Sequence, residues 1–293
     1  MITDTLEKTK ALVWPDIDKY LKDPLFPIQF TIPEKFKKEV DTYWKINREY
    51  PERKGKYLRP TAVLLIAQAL NGDIKKAVAV AAAMQLSEEW ILIHDDIEDN
   101  SDERRGKASL HKIYGPELAI NAGDALHMIM WKMVNDVGSK EVSDEFYKML
   151  MRTALGQGVE QMWNNEKSGK IDNDQYFFVA DSKSAYYSIA GPMRLGAIVA
   201  GASKDQIDKI TEFGLYLGRC FQLVDDILDL EQDKKESKVT LANTQGVDYT
   251  RKLAEEMKQK AKDIFEKDLG FLNSEPARTE LKELTDFILD RKY

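Results

Sequence analysis

Residues 77–94, AVAVAAAMQLSEEWILIH, run without a glycine or a proline and are apolar at most positions. Such a run reads as a buried helix, and its small alanines let other helices approach closely. Asp73 stands just before it as a capping residue, which predicts a helix through about Asp96. Similar runs recur. ELAINAGDALHMIMWKMV (117–134) reads as a second buried helix, and residues 143–163 are amphipathic. A long segment over 172–201 should bend at Pro192, and another core helix spans 204–230. The last two helices are expected at 248–267 and 275–291. Glycine (16) and proline (9) are scarce, and no Gly/Ser linker or low-complexity block divides the chain. The pattern predicts one all-α domain over 1–293, a helical bundle. Its N-terminal third is expected to be irregular, because prolines 24, 27, 33, 51 and 60 bound short elements.

Composition narrows the function. The net charge of -7 argues against a nucleic-acid partner, which needs a basic face. The lone Cys220 forms no intrachain disulfide, as expected in a reducing compartment. The first residues, MITDTLEKTKALVWPD, lack the apolar core of a secretory signal. No stretch approaches the ~20 apolar residues of a membrane span. A cytoplasmic protein with no transmembrane segment is expected.

Two buried-type helices end in the same way. LIHDDIED carries Asp95, Asp96 and Asp99, and QLVDDILD carries Asp225, Asp226 and Asp229. In D-D-x-x-D, the first and last aspartates are four apart and share a helix face. Like charges so placed repel, and aspartate is a poor helix former. A cation removes the penalty. Carboxylate oxygens suit magnesium, which takes one or two of them and leaves its other positions to water and phosphate. One such cluster is easily a solvated helix end; two, each closing a core-type helix, point to metal.

Phosphate also calls for Arg and Lys. GKYLRP supplies Lys56 and Arg59, and DERRGK supplies Arg104 and Arg105 just after the first cluster. DSKSA supplies Lys183 and Ser184, and DKKESKVTL supplies Lys238 after the second cluster. Each is ordinary alone; together they bracket both acid clusters.

With these motifs in this order, GKYLRP, HDDIEDNSDERRGK, AINAGDAL, GQGVEQ, KSA, FQLVDDILD and FILDRKY, the chain resembles the trans-isoprenyl diphosphate synthases from about Lys54 to Tyr293. The resemblance implies an isoprenoid-synthase helical bundle around a central cavity. It implies a prenyltransferase that joins isopentenyl diphosphate to an allylic diphosphate, with about three magnesium ions per loaded site. It places metal on Asp95, Asp96, Asp99, Asp225, Asp226 and Asp229. The allylic diphosphate falls to Arg104, Lys183, Ser184, Gln222 and Lys238, and isopentenyl diphosphate to Lys56, Arg59 and Arg105. Asp95, Asp96, Asp99, Arg104, Lys183, Gln222 and Asp225 carry the reaction. His94 has no chemical role and packs or hydrogen-bonds. The family also implies a homodimer. Chain growth in such enzymes runs below the first aspartates, so Ile91, Trp90 and Ser87 line its floor. That implies a short product, geranylgeranyl first and farnesyl second.

Four departures from the family pattern stand out. Lys54 replaces the first of two glycines, and Ser184 replaces a threonine but keeps the hydroxyl. Glu88 stands where the family has a histidine or glutamine on isopentenyl diphosphate. A carboxylate there repels a diphosphate unless a cation neutralises it. Finally, the segment after Asp229, LEQDKKESKVTLANTQG, is shorter than usual. These last two features fit an alternative, a non-catalytic subunit that regulates another chain, while the two intact aspartate motifs oppose it. A terpene cyclase would usually lack the second motif and GKxxRP. A phosphohydrolase built on His94-Asp95 would need more histidines than His94, His111 and His127. A plain helical scaffold leaves the acidic and basic motifs unexplained.

Overall fold

The run that opens the sequence analysis forms one helix, Ile74–Glu98 (α4), in a computed structural model that describes residues 2–22, 30–166, 171–231 and 239–289. Asp73 caps it, its carboxylate accepting the Lys76 N–H at 3.1 Å. Ala77, Val80, Ala81, Ala82, Ala83, Met84 and Leu86 are all buried. A helix that is apolar all round has no wet face to keep, so it runs through the interior.

The protein is all-α. Before α4 come α1 (Ile2–Leu21), α2 (Lys37–Arg53) and α3 (Leu58–Ala69). After it come α5 (Leu110–Tyr114), α6 (Pro116–Asp136) and α7 (Lys140–Glu166). Next are α8 (Asn173–Val179), a π-helical segment (Ala180–Ala190), α9 (Gly191–Val199) and α10 (Lys204–Leu228). The described chain ends with α11 (Leu241–Thr244), α12 (Val247–Lys267) and α13 (Ala277–Leu289). Among the described residues the only sheet is a two-stranded hairpin, β1 (Glu103–Arg104) and β2 (Lys107–Ala108). No helix of the described residues is long and apolar enough to cross a membrane.

Two compact units result. One holds Leu6–Pro60 and Val78–Gly138; the other is chiefly Thr61–Ala77 and the chain from Ser139 onward. In the first, α6 packs against α2 and α5. In the second, α10 packs most extensively on the π-helical segment and on α12, and α7 also packs on the π-helical segment. Gly214 and Gly218 of α10 make that approach close: a Cβ on either would lie 2.7 or 2.6 Å from the Cα of Ala190 or Ala185.

Two expectations need correction. Among the described residues the N-terminal third is largely helical, and α1 and α2 carry Pro15 and Pro51 inside them; Pro24 and Pro27 lie outside the described residues. Val13, Ile17 and Leu21 form a buried i, i+4, i+8 stripe on α1, and Ile46 and Tyr50 are buried on α2. Burying those side chains outweighs the missing backbone hydrogen bonds. The 172–201 segment also changes form earlier than Pro192. The wider π-helical turns begin at Ala180, and Pro192 follows directly where they give way to α9.

Candidate active site

The first aspartate cluster closes α4, and its members face different surroundings. Asp95 is half-buried, with Asp99 one turn on; the Asp99 N–H bonds to the Asp95 carbonyl at 2.9 Å, so the helix is intact here. Asp96, also expected to hold metal, is fully buried. Its carboxylate accepts the Tyr50 hydroxyl and the Arg104 Nε (3.0 Å), and Arg104 Nη2 closes a second contact. Tyr50 in turn accepts the Leu110 N–H at 3.0 Å. Burial first, and then the Asp96 carboxylate, push the Tyr50 hydroxyl well above its usual range, so it stays a donor. Burial works against the Arg104 charge, but Asp96 more than restores it, and the guanidinium stays protonated. Arg104 also lies 3.8 Å from Asp95.

The hairpin after α4 sets Arg105. Arg105 and Gly106 both have positive φ, 55° and 74°, as a two-residue hairpin turn with the right twist requires. From that tip Arg105 Nη1 reaches the Tyr50 carbonyl (3.2 Å) and the buried Glu89 carboxylate (2.9 Å). Gln85 Nε2 donates to Glu89 at 2.7 Å. Complete burial outweighs the pull of Arg105 and, with the neighbouring charge of Glu88, pushes the Glu89 carboxyl up to about 7. Glu88 is ion-paired with Arg59 (3.2 Å) and lies 3.6 Å from Arg105. The carboxylate that replaces the family's histidine is therefore neutralised by two of the three cations expected to grip isopentenyl diphosphate. The third, Lys56, is exposed. Gly55 is needed here, since a Cβ would lie 2.7 Å from Arg105 Nη2. Lys54, in place of the family's glycine, takes φ 46° and lays its Nζ 4.4 Å from the Trp14 ring centre.

The second cluster repeats the logic of the first. Asp226 is buried and accepts the Tyr176 hydroxyl at 2.7 Å and Gln222 Nε2 at 2.8 Å. Burial and then Asp226 hold the Tyr176 hydroxyl well above its usual range. Asp225 is half-buried and Asp229 exposed. Lys183, on the π-helical segment, pairs with Glu160 of α7 at 2.6 Å, and Ser184 beside it is half-buried. Asp181 on the same segment holds Arg219 of α10 through contacts of 2.7 and 2.5 Å. Lys238 and residues 232–237 of the shortened loop after Asp229 lie outside the described residues.

Tyr50, Tyr176, Glu89 and Glu160 escaped the sequence reading. Nothing local marks the tyrosines. Glu89 did carry a signal: a second acid beside Glu88 inside an apolar helix. As for metal, no group of three His, Cys, Asp or Glu among the described residues gathers closely enough to enclose an ion. The remaining half-exposed pairs, Asp95 with Asp99 and Asp225 with Asp229, offer oxygen only. That donor set fits magnesium, which leaves most of its shell to water and phosphate.

Residues 41–283 match the family model for polyprenyl synthetase. The chain belongs to that family. It is 30% identical over 228 residues to a geranylgeranyl diphosphate synthase of Saccharolobus solfataricus, covering 75% of this chain and 68% of that one. A geranylgeranyl diphosphate synthase of Methanosarcina mazei is 30% identical over 214 residues, covering 71% of this chain and 62% of that one. The chain thus spans about two thirds of the length of these curated relatives. Its fold is similar to that of a decaprenyl diphosphate synthase from Rhodobacter capsulatus, with a TM-score of 0.83 at 20% identity, covering 99% and 98% of the two chains.

In this polyprenyl synthetase the residues that precede Asp95 on α4 have definite neighbours. The Trp90 ring stacks on His127 of α6 at 4.4 Å between centres, tilted by 34°, and meets His94 edge-on at 5.8 Å. His127 accepts the Trp131 indole N–H at 2.9 Å, which fixes the imidazole plane under Trp90. Ser87 is buried and spends its hydroxyl on the Met84 carbonyl (2.7 Å), and Ile91 is half-buried. His94 packs on α6, with its Nε2 3.3 Å from the Ile120 carbonyl.

Proposed function

We propose that this polyprenyl synthetase is a magnesium-dependent trans-prenyltransferase. It joins isopentenyl diphosphate to an allylic diphosphate and releases a short prenyl diphosphate, geranylgeranyl first and farnesyl second. One observation carries the reading: in both D-D-x-x-D clusters the middle aspartate is buried on a tyrosine while the outer two are half-buried or exposed. The outer pairs, Asp95 with Asp99 and Asp225 with Asp229, are the metal-holding carboxylates. Asp96 and Asp226 instead position Arg104 and Gln222. This redistributes the expected ligand set. The similarity to geranylgeranyl diphosphate synthases of Saccharolobus solfataricus and Methanosarcina mazei supports the substrate class and the product.

When bound, magnesium neutralises charge on the diphosphate as it leaves. Arg104, held by Asp96, and Lys183, on the π-helical segment, supply fixed positive charge at the allylic diphosphate. The allylic C–O bond breaks and the electron pair leaves with the diphosphate. The isopentenyl double bond attacks the resulting cation, a new C–C bond forms, and a proton passes to the released diphosphate. Arg59, Arg105 and Lys56 hold the attacking substrate. No side chain acts as a nucleophile.

The exposed side chains of Tyr147, Met151, Leu155 and Met162 make an apolar stripe on α7, which supports a homodimer. The buried Cys220, which forms no disulfide, accords with a cytoplasmic protein. The test is incubation with isopentenyl diphosphate, each allylic primer and magnesium, with products read by mass spectrometry. Prenyl diphosphate that forms with magnesium and stops with excess chelator is the expected result. Full turnover in chelator, or no product with any primer, sinks the reading.

A further inference from the structure

Glu88 and Glu89 are adjacent, yet they meet the arginines differently. Glu89 is 1% exposed and takes Arg105 Nη1 at 2.9 Å in good hydrogen-bond geometry. Glu88 is 14% exposed and lies 3.2 Å from Arg59 and 3.6 Å from Arg105 Nη2. The last two contacts are electrostatic only. Arg105 Nη2 is buried and makes no hydrogen bond among the described residues, and neither does Glu88 Oε2. A buried guanidinium N–H with no acceptor is costly, and an anion of better fit relieves it. Glu89 and the Tyr50 carbonyl meanwhile keep Arg105 in place whether or not Glu88 stays, and Gly55 leaves room for its guanidinium.

We propose that Glu88 is a built-in anion that occupies the Arg59–Arg105 seat until a diphosphate displaces it. Glu88 is thus a positioning residue that keeps two like charges together in the empty site, and it competes with the incoming substrate. Glu89 anchors Arg105 and does not compete. The inference rests on the proposed function, since it takes the seat to be that of isopentenyl diphosphate.

Removing the Glu88 charge while keeping its shape should tighten the seat. The experiment is calorimetric titration of the full chain with isopentenyl diphosphate and, separately, inorganic diphosphate. It is paired with steady-state kinetics in both substrates. Glu88→Gln is expected to bind isopentenyl diphosphate about tenfold more tightly, since a like charge within a few ångströms of a polyanion is gone. Glu88→Asp, which keeps the charge, should stay near wild type. The Michaelis constant for the allylic primer should not move in either. Glu88→Ser serves as a second neutral variant, and the thermal midpoint of each protein checks folding. Equal or weaker binding by both neutral variants, with wild type binding normally, overturns the inference and leaves the proposed function standing. No binding by wild type or variants overturns both.

Discussion

The two carboxylates at the end of α4 should separate cleanly under the same chemical change. Asp96 has a side chain 1% exposed, with both oxygens engaged by Arg104 and Tyr50. Asp95, next to it, is 23% exposed. Asp96→Asn preserves shape but removes the charge. The amide N–H₂ must then face either Arg104, which only donates, or the Tyr50 hydroxyl, whose lone pair already receives the Leu110 N–H. One charge-assisted hydrogen bond is lost, worth about 1.5–3 kcal/mol, and the half-buried Arg104 is left with only the longer 3.8 Å contact to Asp95. A loss of about 3 kcal/mol follows, which for a chain of this size lowers the melting temperature by roughly 5 °C. Asp95→Asn leaves the Asp96–Tyr50–Arg104 hydrogen bonds in place and loses the longer 3.8 Å contact with Arg104, so it should cost no more than about 1 kcal/mol. Its activity, however, should fall by about 10²-fold or more, because a metal-holding oxygen is removed. The assay is circular-dichroism melting of both variants in chelator, followed by turnover of each in magnesium. If Asp96→Asn melts with wild type, or if Asp95→Asn destabilises as much as Asp96→Asn, the division of roles within the cluster is wrong.

Trp90→Ala should lengthen the product by at least one isoprene unit, read by mass spectrometry of the dephosphorylated product, because it removes the ring stacked on His127; an unchanged length in a folded, active variant removes Trp90 from the floor. The Glu89 carboxyl sits at about 7 in the folded chain against an ordinary 4.5, so the folded state binds more protons between those values. Its contribution to stability is therefore present below about pH 4.5 and is lost as pH rises through about 7. Glu89→Gln should flatten the fall in stability across that window, measured as urea midpoints against pH; parallel curves for the two proteins refute it.

Much of the helical architecture was legible because helix formation is local. The boundaries of α4, α6, α10 and α12 follow from runs without breakers and from single caps such as Asp73. The spacing of D-D-x-x-D likewise puts Asp95 with Asp99 and Asp225 with Asp229 on shared faces wherever those helices lie. The helical N-terminal third was not legible. Pro51 reads as a breaker, and only the burial of its neighbours overrides it. The π-helical turns around Lys183, against which Gly214 and Gly218 pack closely, were not legible either.

What the sequence alone determined, then, is an all-α chain with two acidic helix ends and cations beside them. Tertiary structure alone decided which aspartate of each pair is spent inside the protein. Asp96 finds Tyr50 46 residues away, and Asp226 finds Tyr176 50 residues away. It also decided that Glu88 meets Arg59 and Arg105, the latter delivered by a hairpin no periodicity announces. Periodicity assigns a residue to a face of its own helix. The charge a buried carboxylate can keep depends on the donors that other segments bring to it, and packing chooses those.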